Sequence, residues 1–248
     1  MFELNKIYNE DCLIGMQKLP DKSIDMILCD LPYGTTANSW DSVIPFDQLW
    51  LQYERIIKDN GAIVLTAQQP FTTELIASNR KLFRYEWIWD KKLPTGFLNA
   101  NKMPLKRHEN ILVFYKNLPT YNPEMVVRGT PRNKSHRGQQ SGNYGHFNKT
   151  ENNINNEYYP TSIIVEYGGG NDKKTHPTQK PVALFEYLIK TYTNKGEIVL
   201  DSCMGSATTA IACLNTDRSF IGFETNRDYF EMSLDRIKNN TTQLDLFG

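Results

Sequence analysis

The chain has 248 residues, enough for one substantial core with an insertion, and its 28 Lys+Arg balance 28 Asp+Glu to a formal net charge of zero. That balance excludes a globally basic nucleic-acid binder, so any phosphate-binding surface must be a local patch. No apolar run approaches the roughly 18 residues of a membrane helix, and Met1-Phe2-Glu3-Leu4-Asn5-Lys6 lacks the basic-then-apolar design of a secretory leader, so a cytoplasmic protein is expected. Cys12, Cys29, Cys203 and Cys213 form no CxxC pair and read as isolated buried thiols, with no zinc site expected.

In chain order, Ile24 to Cys29 reads as a buried strand stopped by the turn Leu31-Pro32-Tyr33-Gly34. Trp50 to Lys58 reads as a helix closed by Asn60-Gly61, and Ala62 to Thr66 as the next strand. Tyr85 to Trp89 and Ile111 to Tyr115 are further strands, joined by a Pro/Asn-rich loop. From about Asn117 to Lys174 the chain turns rich in Asn, Gly, Ser, Pro and Tyr, with no sustained helical period. Arg128, Arg132, Lys134, Arg137 and Lys149 fall there with no acidic residue between Glu124 and Glu151. A stretch this long without regular structure should be functional or mobile in a compact domain. Basic groups interleaved with Tyr144, His146 and Phe147 favour a nucleic-acid-facing insert over a disordered surface loop.

Regular structure returns at Pro181, with Leu184, Leu188 and Thr191 or Tyr192 at helical spacing. Ile198 to Asp201 reads as a strand, Ser206 to Leu214 as a helix and Ser219 to Glu224 as another strand. Asn226 can cap a last helix with Phe230, Leu234 and Ile237 on one face. Strands alternating with helices predict an α/β fold with a mostly parallel twisted sheet flanked by helices.

Two constellations carry chemistry. Asp201 ends a strand, Gly205 permits close backbone approach, and a helix start near Ser206 offers free N–H groups to a ligand. Glu224 ends the next strand, where a carboxylate can accept ribose hydroxyl hydrogen bonds. This is no dehydrogenase fingerprint, because Gly205-Ser206-Ala207-Thr208-Thr209-Ala210 has one glycine where that motif has three. The second constellation, Asp30-Leu31-Pro32-Tyr33-Gly34, is by itself an ordinary turn starter.

Together these motifs resemble the DNA amino-methyltransferases. Asp30-Leu31-Pro32-Tyr33 is similar to their Asp-Pro-Pro-Tyr motif, and Asp201 to Thr209 to their Asp-Pro-Phe-x-Gly-Ser-Gly-Thr-Thr loop. His176-Pro177-Thr178-Gln179-Lys180-Pro181 matches their Lys-Pro segment, and Asn9-Glu10-Asp11-Cys12 resembles their Gly-Asp-Cys element. The order of catalytic turn, insert, Lys-Pro segment and cofactor loop resembles the β group of that family.

The resemblance implies a Rossmann-like methyltransferase fold in four segments: a catalytic half over 1–116, a target-recognition insert over 117–174, a cofactor-binding half over 175–240 and a tail over 241–248. It implies S-adenosyl-L-methionine as cofactor, double-stranded DNA as partner, and adenine N6 as the atom methylated, because an acidic residue such as Asp30 resembles the adenine subgroup. Cytosine-N4 methylation, an RNA substrate and a catalytically silent DNA-binding adaptor are the competing readings. In the implied mechanism the Asp30 carboxylate and Leu31 carbonyl accept the amino hydrogens of a base flipped out of the duplex, which stacks on Tyr33 after the Pro32 turn. Asp11, with Cys12, would hold the cofactor adenine, Glu224 its ribose and Lys180 its carboxylate. His176, Thr178, Asp201, Met204, Gly205, Ser206 and Thr208 would complete that site.

Two departures stand out. Leu31 replaces a proline whose contribution is a carbonyl, and Ala207 replaces a glycine, which matters only if the position needs positive φ or close approach. A nucleoid-associated location, a restriction–modification setting and a homodimer are further implications. Finally, Gln243-Leu244-Asp245-Leu246-Phe247 resembles the peptide by which bacterial replication and repair proteins dock on the polymerase sliding clamp, against the plain reading of an apolar tail.

Overall fold

The computed structural model describes residues 3–34, 41–135, 139–141, 145–147, 153–165, 167 and 179–247, with backbone alone for 139–141, 145–147 and 241–247. It divides into two compact units, one formed by Met1–Asn122 with Ser162–Gly248 and the other by Pro123–Thr161.

The larger unit is built on an eight-stranded sheet. Its strands are β1 (Lys6–Tyr8), β2 (Ile24–Asp30), β3 (Ile57–Ala67), β4 (Phe83–Thr95), β5 (Lys106–Phe114), β10 (Ile163–Ile164), β11 (Ile198–Asp201) and β12 (Ser219–Phe223). The order is β1-β12-β11-β2-β3-β5-β4-β10. β5 alone runs against the rest, pairing antiparallel with both β3 and β4. The helices are α1 (Cys12–Gln17), α2 (Phe46–Ile56), α3 (Phe71–Ser78), α4 (Val182–Tyr192), α5 (Thr208–Asn215) and α6 (Arg227–Phe247). The central strands are nearly continuous apolar runs because both faces are covered. Alternate residues feed two cores: Met26 and Leu28 meet Leu184 and Leu188 of α4 on one side, while Ile27 and Cys29 meet Leu49 and Tyr53 of α2 on the other. This is the mostly parallel, helix-flanked α/β sheet expected.

Several elements differ from the reading of the sequence. The helix expected over Trp50–Lys58 is α2, four residues earlier at its start, and Asn60-Gly61 lies inside β3 rather than ending a helix. Gly61 acts there by its smallness: a Cβ would come within 2.8 Å of the Asp25 carbonyl oxygen and 2.7 Å of the Ile57 side chain. β1, α1 and α3 went unanticipated, since three to eight residues give too few repeats to display a period. Asn226 does cap α6, accepting from the N–H groups of Asp228 and Tyr229 at 2.9 and 3.1 Å. Phe230 and Ile237 pack on the core, but Leu234 is 38% exposed and leaves the expected apolar face.

The smaller unit corrects the expectation of a stretch without regular structure. β6 (Val126–Asn133) pairs antiparallel with β9 (Ile154–Tyr158), and β7 (Gln139–Ser141) with β8 (Gly145–Phe147). β6 and β9 carry polar residues on both faces and so lack the apolar alternation by which a strand is recognised.

Candidate active site

β2, β3, β11 and β12 end at one edge of the sheet, where ligands of open α/β folds bind. Asp30 is the last residue of β2, and the chain then leaves the sheet through buried Leu31 and half-buried Pro32 and Tyr33. Gly34 closes the turn at φ +66°, its N–H donating to Asp41 at 2.8 Å. One Asp30 oxygen accepts from the Tyr33 hydroxyl at 2.8 Å and from the Thr66 hydroxyl. The other accepts from the Lys180 ammonium at 2.6 Å. A carboxylate has about four lone-pair positions, so three donors leave one for a ligand.

Lys180 lies at the centre of this network. It is 7% exposed, and its Nζ is 3.4 Å from Glu109 Oε2 as well as 2.6 Å from Asp30. Glu109, from β5, also pairs with Lys91 at 3.1 Å. Burial works to lower the Lys180 pKa, but the two carboxylates outweigh it and hold the ammonium above its ordinary value. Burial, with Asp30 and Glu109 close by, pushes the Tyr33 hydroxyl well above its usual range, so it remains a neutral donor to Asp30. The Tyr33 ring stacks on Phe71 with centroids 5.1 Å apart.

The second half of the site is the loop between β11 and α5. Asp201 is buried and braces the loop from beneath, accepting from the Cys203 N–H at 2.9 Å and from the Thr209 hydroxyl. Gly205 takes φ +52° and Ala207 φ +64°, so the position where the family has glycine does require a left-handed backbone. That conformation costs an alanine roughly 1–2 kcal/mol, while its fully buried methyl returns about 0.8 kcal/mol. The near balance explains why alanine is tolerated. Glu224 follows β12, one oxygen accepting from the Gly205 N–H and the other from the Asn226 N–H, both at 2.8 Å. Burial pushes its carboxyl upward against those two bonds.

Burial drives the Asp201 carboxyl from its ordinary 3.8 up to about 6, although bonds from Thr209 and Cys203 pull the other way. A raised folded value means that the folded chain binds this proton more tightly than the unfolded one. The stabilisation is complete below the unfolded pKa and is lost as pH rises through about 6. Asp201→Asn keeps an acceptor for Cys203 and a donor for Thr209 without the charge. It should therefore exceed wild type in stability by on the order of 1–3 kcal/mol above about pH 7, with no gain near pH 4. Urea melts at both pH values check this, and an equal gain at both would contradict it.

The predicted residues separate on inspection. Asp30, Leu31, Pro32, Tyr33 and Lys180 meet at the end of β2, while Gly205 and Glu224 meet at the end of β12. Asp11 caps α1, accepting from the N–H groups of Leu13 and Ile14 at 2.8 and 3.2 Å through one oxygen. Cys12 is buried in the core beneath it. Three of the predicted side chains are buried. Met204 lies over Gly222, where a Cβ would come within 2.3 Å of it. Ser206 and Thr208 are buried and accept from the Arg236 guanidinium, each at 3.2 Å. Lys180, expected to hold a cofactor carboxylate, pairs with Asp30 and Glu109. Arg128 and Arg132 are exposed on β6 of the smaller unit; Lys134 follows that strand with its ammonium 3.6 Å from the Tyr158 ring centroid. His176, Thr178, Arg137 and Lys149 lie outside the described residues, as do the side chains of Gln243, Leu244, Leu246 and Phe247.

Thr66, Glu109 and Arg236 escaped the sequence reading. Each has a visible signal after the fact: a hydroxyl at the end of an apolar strand, a carboxylate opening one, and a lone arginine on the inner side of α6. The four cysteines are free, and Cys29 Sγ lies 3.2 Å from the Ser202 hydroxyl, tying β2 to the cofactor-type loop. No metal-binding group of His, Cys, Asp and Glu occurs among the described residues.

Comparison with known proteins agrees with this fold. The chain is 29% identical over 258 residues to the DNA adenine methyltransferase YhdJ of Escherichia coli strain K12, covering 95% of this chain and 83% of that protein. It is 28% identical over 252 residues to the type II methyltransferase M.HpaI of Haemophilus parainfluenzae, covering 93% of this chain and 73% of the relative. Among solved structures, M1.HpyAVI in complex with SAM superposes with TM-score 0.63 at 24% identity, over 93% of this chain and 98% of that one. The cytosine-N4-specific PvuII DNA methyltransferase superposes with TM-score 0.66 at 15% identity, over 96% and 91%. Both are likenesses of fold. A family model described as DNA methylase, of the N6/N4 class, matches residues 24–235. That span contains the Asp30 turn, the Lys180 contact and the Glu224 loop, and the chain belongs to the N6/N4 DNA methylase family.

Proposed function

We propose that this protein transfers the methyl group of S-adenosyl-L-methionine to the N6 amino group of an adenine flipped out of double-stranded DNA. The observation that carries the reading is the Asp30 carboxylate, anchored on three sides with one acceptor position left, on the same sheet edge as the Glu224 loop. The chemistry of the Glu224 side fits the cofactor. Glu224 keeps lone pairs for ribose hydroxyls beyond the two N–H groups it accepts, and Asp11 keeps its second oxygen for an adenine amino group. When bound, the cofactor supplies an electrophilic methyl group.

The protein's own part is electrostatic and positional. The lone pair of an adenine amino nitrogen is delocalised into the ring, so the nitrogen is a poor nucleophile. Acceptance of its two hydrogens by the Asp30 carboxylate and the Leu31 carbonyl draws the nitrogen toward tetrahedral geometry. Its lone pair is then directed out of the ring plane. Asp30 need not be a strong base, since the proton becomes acidic once nitrogen carries the methyl. The Tyr33 ring, stacked on Phe71, offers the face for the extruded base. Arg128, Arg132 and Lys134 supply phosphate or base contacts from the smaller unit, with Arg137 and Lys149 beside them in sequence.

Incubation with methyl-labelled cofactor and unmethylated duplex DNA, followed by nucleoside analysis and mapping of the label, tests the reading. N6-methyladenine at a repeated short sequence is the expected result. N4-methylcytosine would overturn the base assignment, and label in RNA alone would overturn the substrate.

The tail carries a separate proposal: Gln243, Leu244, Leu246 and Phe247 dock on the polymerase sliding clamp. The backbone there continues α6 to Phe247, so an extended docking peptide must first unwind from the helix end, where fraying is cheap. Replacing Leu246 and Phe247 by alanine should abolish clamp binding in a surface-capture assay, and binding that survives both changes would dismiss the peptide as the dock.

A further inference from the structure

β4 and β5 continue past the edge at which Asp30 lies. Trp89 pairs with Glu109, the residue beside Lys180, and Thr95 pairs with Lys106, so residues 91–107 form a hairpin rising from the rim of the site. Along β5 the rise from Glu109 to Lys106 is about 10 Å. Like the stretch between Glu124 and Glu151, the hairpin is locally basic in a neutral chain, for it holds Lys91, Lys92, Lys102, Lys106 and Arg107 and no acidic residue. Its tip presents Phe97 at 76% exposure and Leu98 at 82%, with Leu93 and Met103 also exposed. Large apolar side chains gathered on a surface and rimmed by charge mark a binding site.

The tip is also preorganised. Phe97–Asn99 form a single 3-10 turn entered through Gly96 at φ +87°. The N–H groups of Asn99, Ala100 and Lys102 donate at 2.9–3.0 Å to carbonyls three residues back, and the Thr95 hydroxyl closes the neck on the Lys106 carbonyl at 3.2 Å. Arg107 is engaged by both oxygens of Asp90 at 2.7 Å, Lys91 by Glu109, and Lys92 also makes a contact within the protein. Lys106 sits 3.5 Å from the neutral amide oxygen of Gln68, and it and Lys102 are two cations available to a polyanion.

We infer that this hairpin is a DNA-facing wedge: Phe97 and Leu98 enter the base stack beside the extruded base while Lys102 and Lys106 contact flanking phosphates. The inference rests on the methyltransferase reading and adds to it the element that opens the duplex. A base leaving the stack creates a gap that apolar side chains fill, and extrusion onto Tyr33 must be driven from a point close to that residue. Charge decides against a second copy of this chain as the occupant, because two such hairpins would bring their cations together, whereas a phosphate backbone complements them.

The test combines Phe97→Ala with Leu98→Ala in one double variant, and Lys102→Ala with Lys106→Ala in another, on the full chain. All four side chains lie at the surface, and thermal melts confirm that each variant folds. Assays use a duplex carrying the mapped methylation site, the same duplex with the target base mispaired, and a mixed-sequence duplex in fluorescence anisotropy. The apolar double variant should lose at least about tenfold in kcat/KM on the paired duplex and recover most of it on the mispaired one, with cofactor affinity unchanged. The lysine double variant should bind all three duplexes more weakly and lower the salt slope by roughly 2. Wild-type turnover on the paired duplex by the apolar variant would overturn the wedge. So would a change of oligomeric state in sedimentation with DNA affinity intact, which would make the hairpin an interface between copies. If wild type transfers no methyl group, anisotropy separates the two claims. Weaker binding by the lysine variant would keep the DNA-facing hairpin while the adenine reading fails, and unchanged binding would overturn the hairpin itself.

Discussion

Asp30→Ala should reduce methyl transfer by at least about a thousandfold while leaving duplex binding within a few-fold of wild type. The size follows from removing a preorganised charged acceptor at a transition state; loss of one such polar group in comparable sites costs a hundred- to a thousandfold, and here the group is also charged. Binding survives because the proposed phosphate contacts belong to other segments. The same change leaves the Lys180 ammonium buried with only Glu109 at 3.4 Å. Removing one partner of a buried pair typically costs about 3–5 kcal/mol. The remaining carboxylate and the partial exposure of Asp30 place the expected loss at the lower end of that range. Asp30→Asn keeps volume and one acceptor and separates the two effects: it should be nearly as inactive but more stable. Single-turnover rates, anisotropy and urea melts of the three proteins measure each term, and wild-type-like turnover by Asp30→Ala would sink the mechanism.

Lys180→Met should be the second severe change, and it distinguishes two roles for this lysine. The resemblance to the family assigned it to the cofactor carboxylate, whereas the structure places its Nζ between Asp30 and Glu109. As a positioning residue, its loss removes the cation between Asp30 and Glu109 and leaves Glu109 with Lys91 alone. Turnover should fall at least about a hundredfold with cofactor affinity changed less than about threefold. Stability should fall by about 3 kcal/mol in urea melts, because the Asp30 carboxylate loses its buried partner. Lys180→Arg, which restores the charge, should recover part of the rate. Calorimetry with the cofactor decides the matter: affinity weakened tenfold or more with kcat nearly intact would return Lys180 to the cofactor.

The parts of this site that were legible in the sequence share one property: their meaning is local. Asp30 and Glu224 end apolar strands, and Gly205 sits in a strand-to-helix turn; each such pattern is written within a few neighbouring residues. Asn226 announced its cap for the same reason. Thr66 and Glu109 were illegible because their importance depends on strand order. Thr66 reaches Asp30 only because β3 lies beside β2 with Asp30 opposite Thr66. Glu109 reaches Lys180 only because β5 runs backwards between β3 and β4. Arg236 is a similar case, joined to the α5 loop across about 30 residues of sequence by the way α6 folds back.

By itself the sequence determined the class of the protein: the alternation of buried strands and helices, the motifs and their permuted order, and the acidic residue that opens the Asp30 turn. The alternation follows from periodicity and turn chemistry, whereas the motifs and their order were read through resemblance to the family. Tertiary structure alone decided what each charged group faces. It turned Met204, Ser206 and Thr208 inward, bound Lys180 to Asp30 and raised the basic hairpin of residues 91–107 beside the site. The reason is physical. Propensity and hydrophobic pattern act over a few residues, whereas the partner of a buried charge is set by which distant strands the sheet brings side by side, and desolvation then makes that partner obligatory.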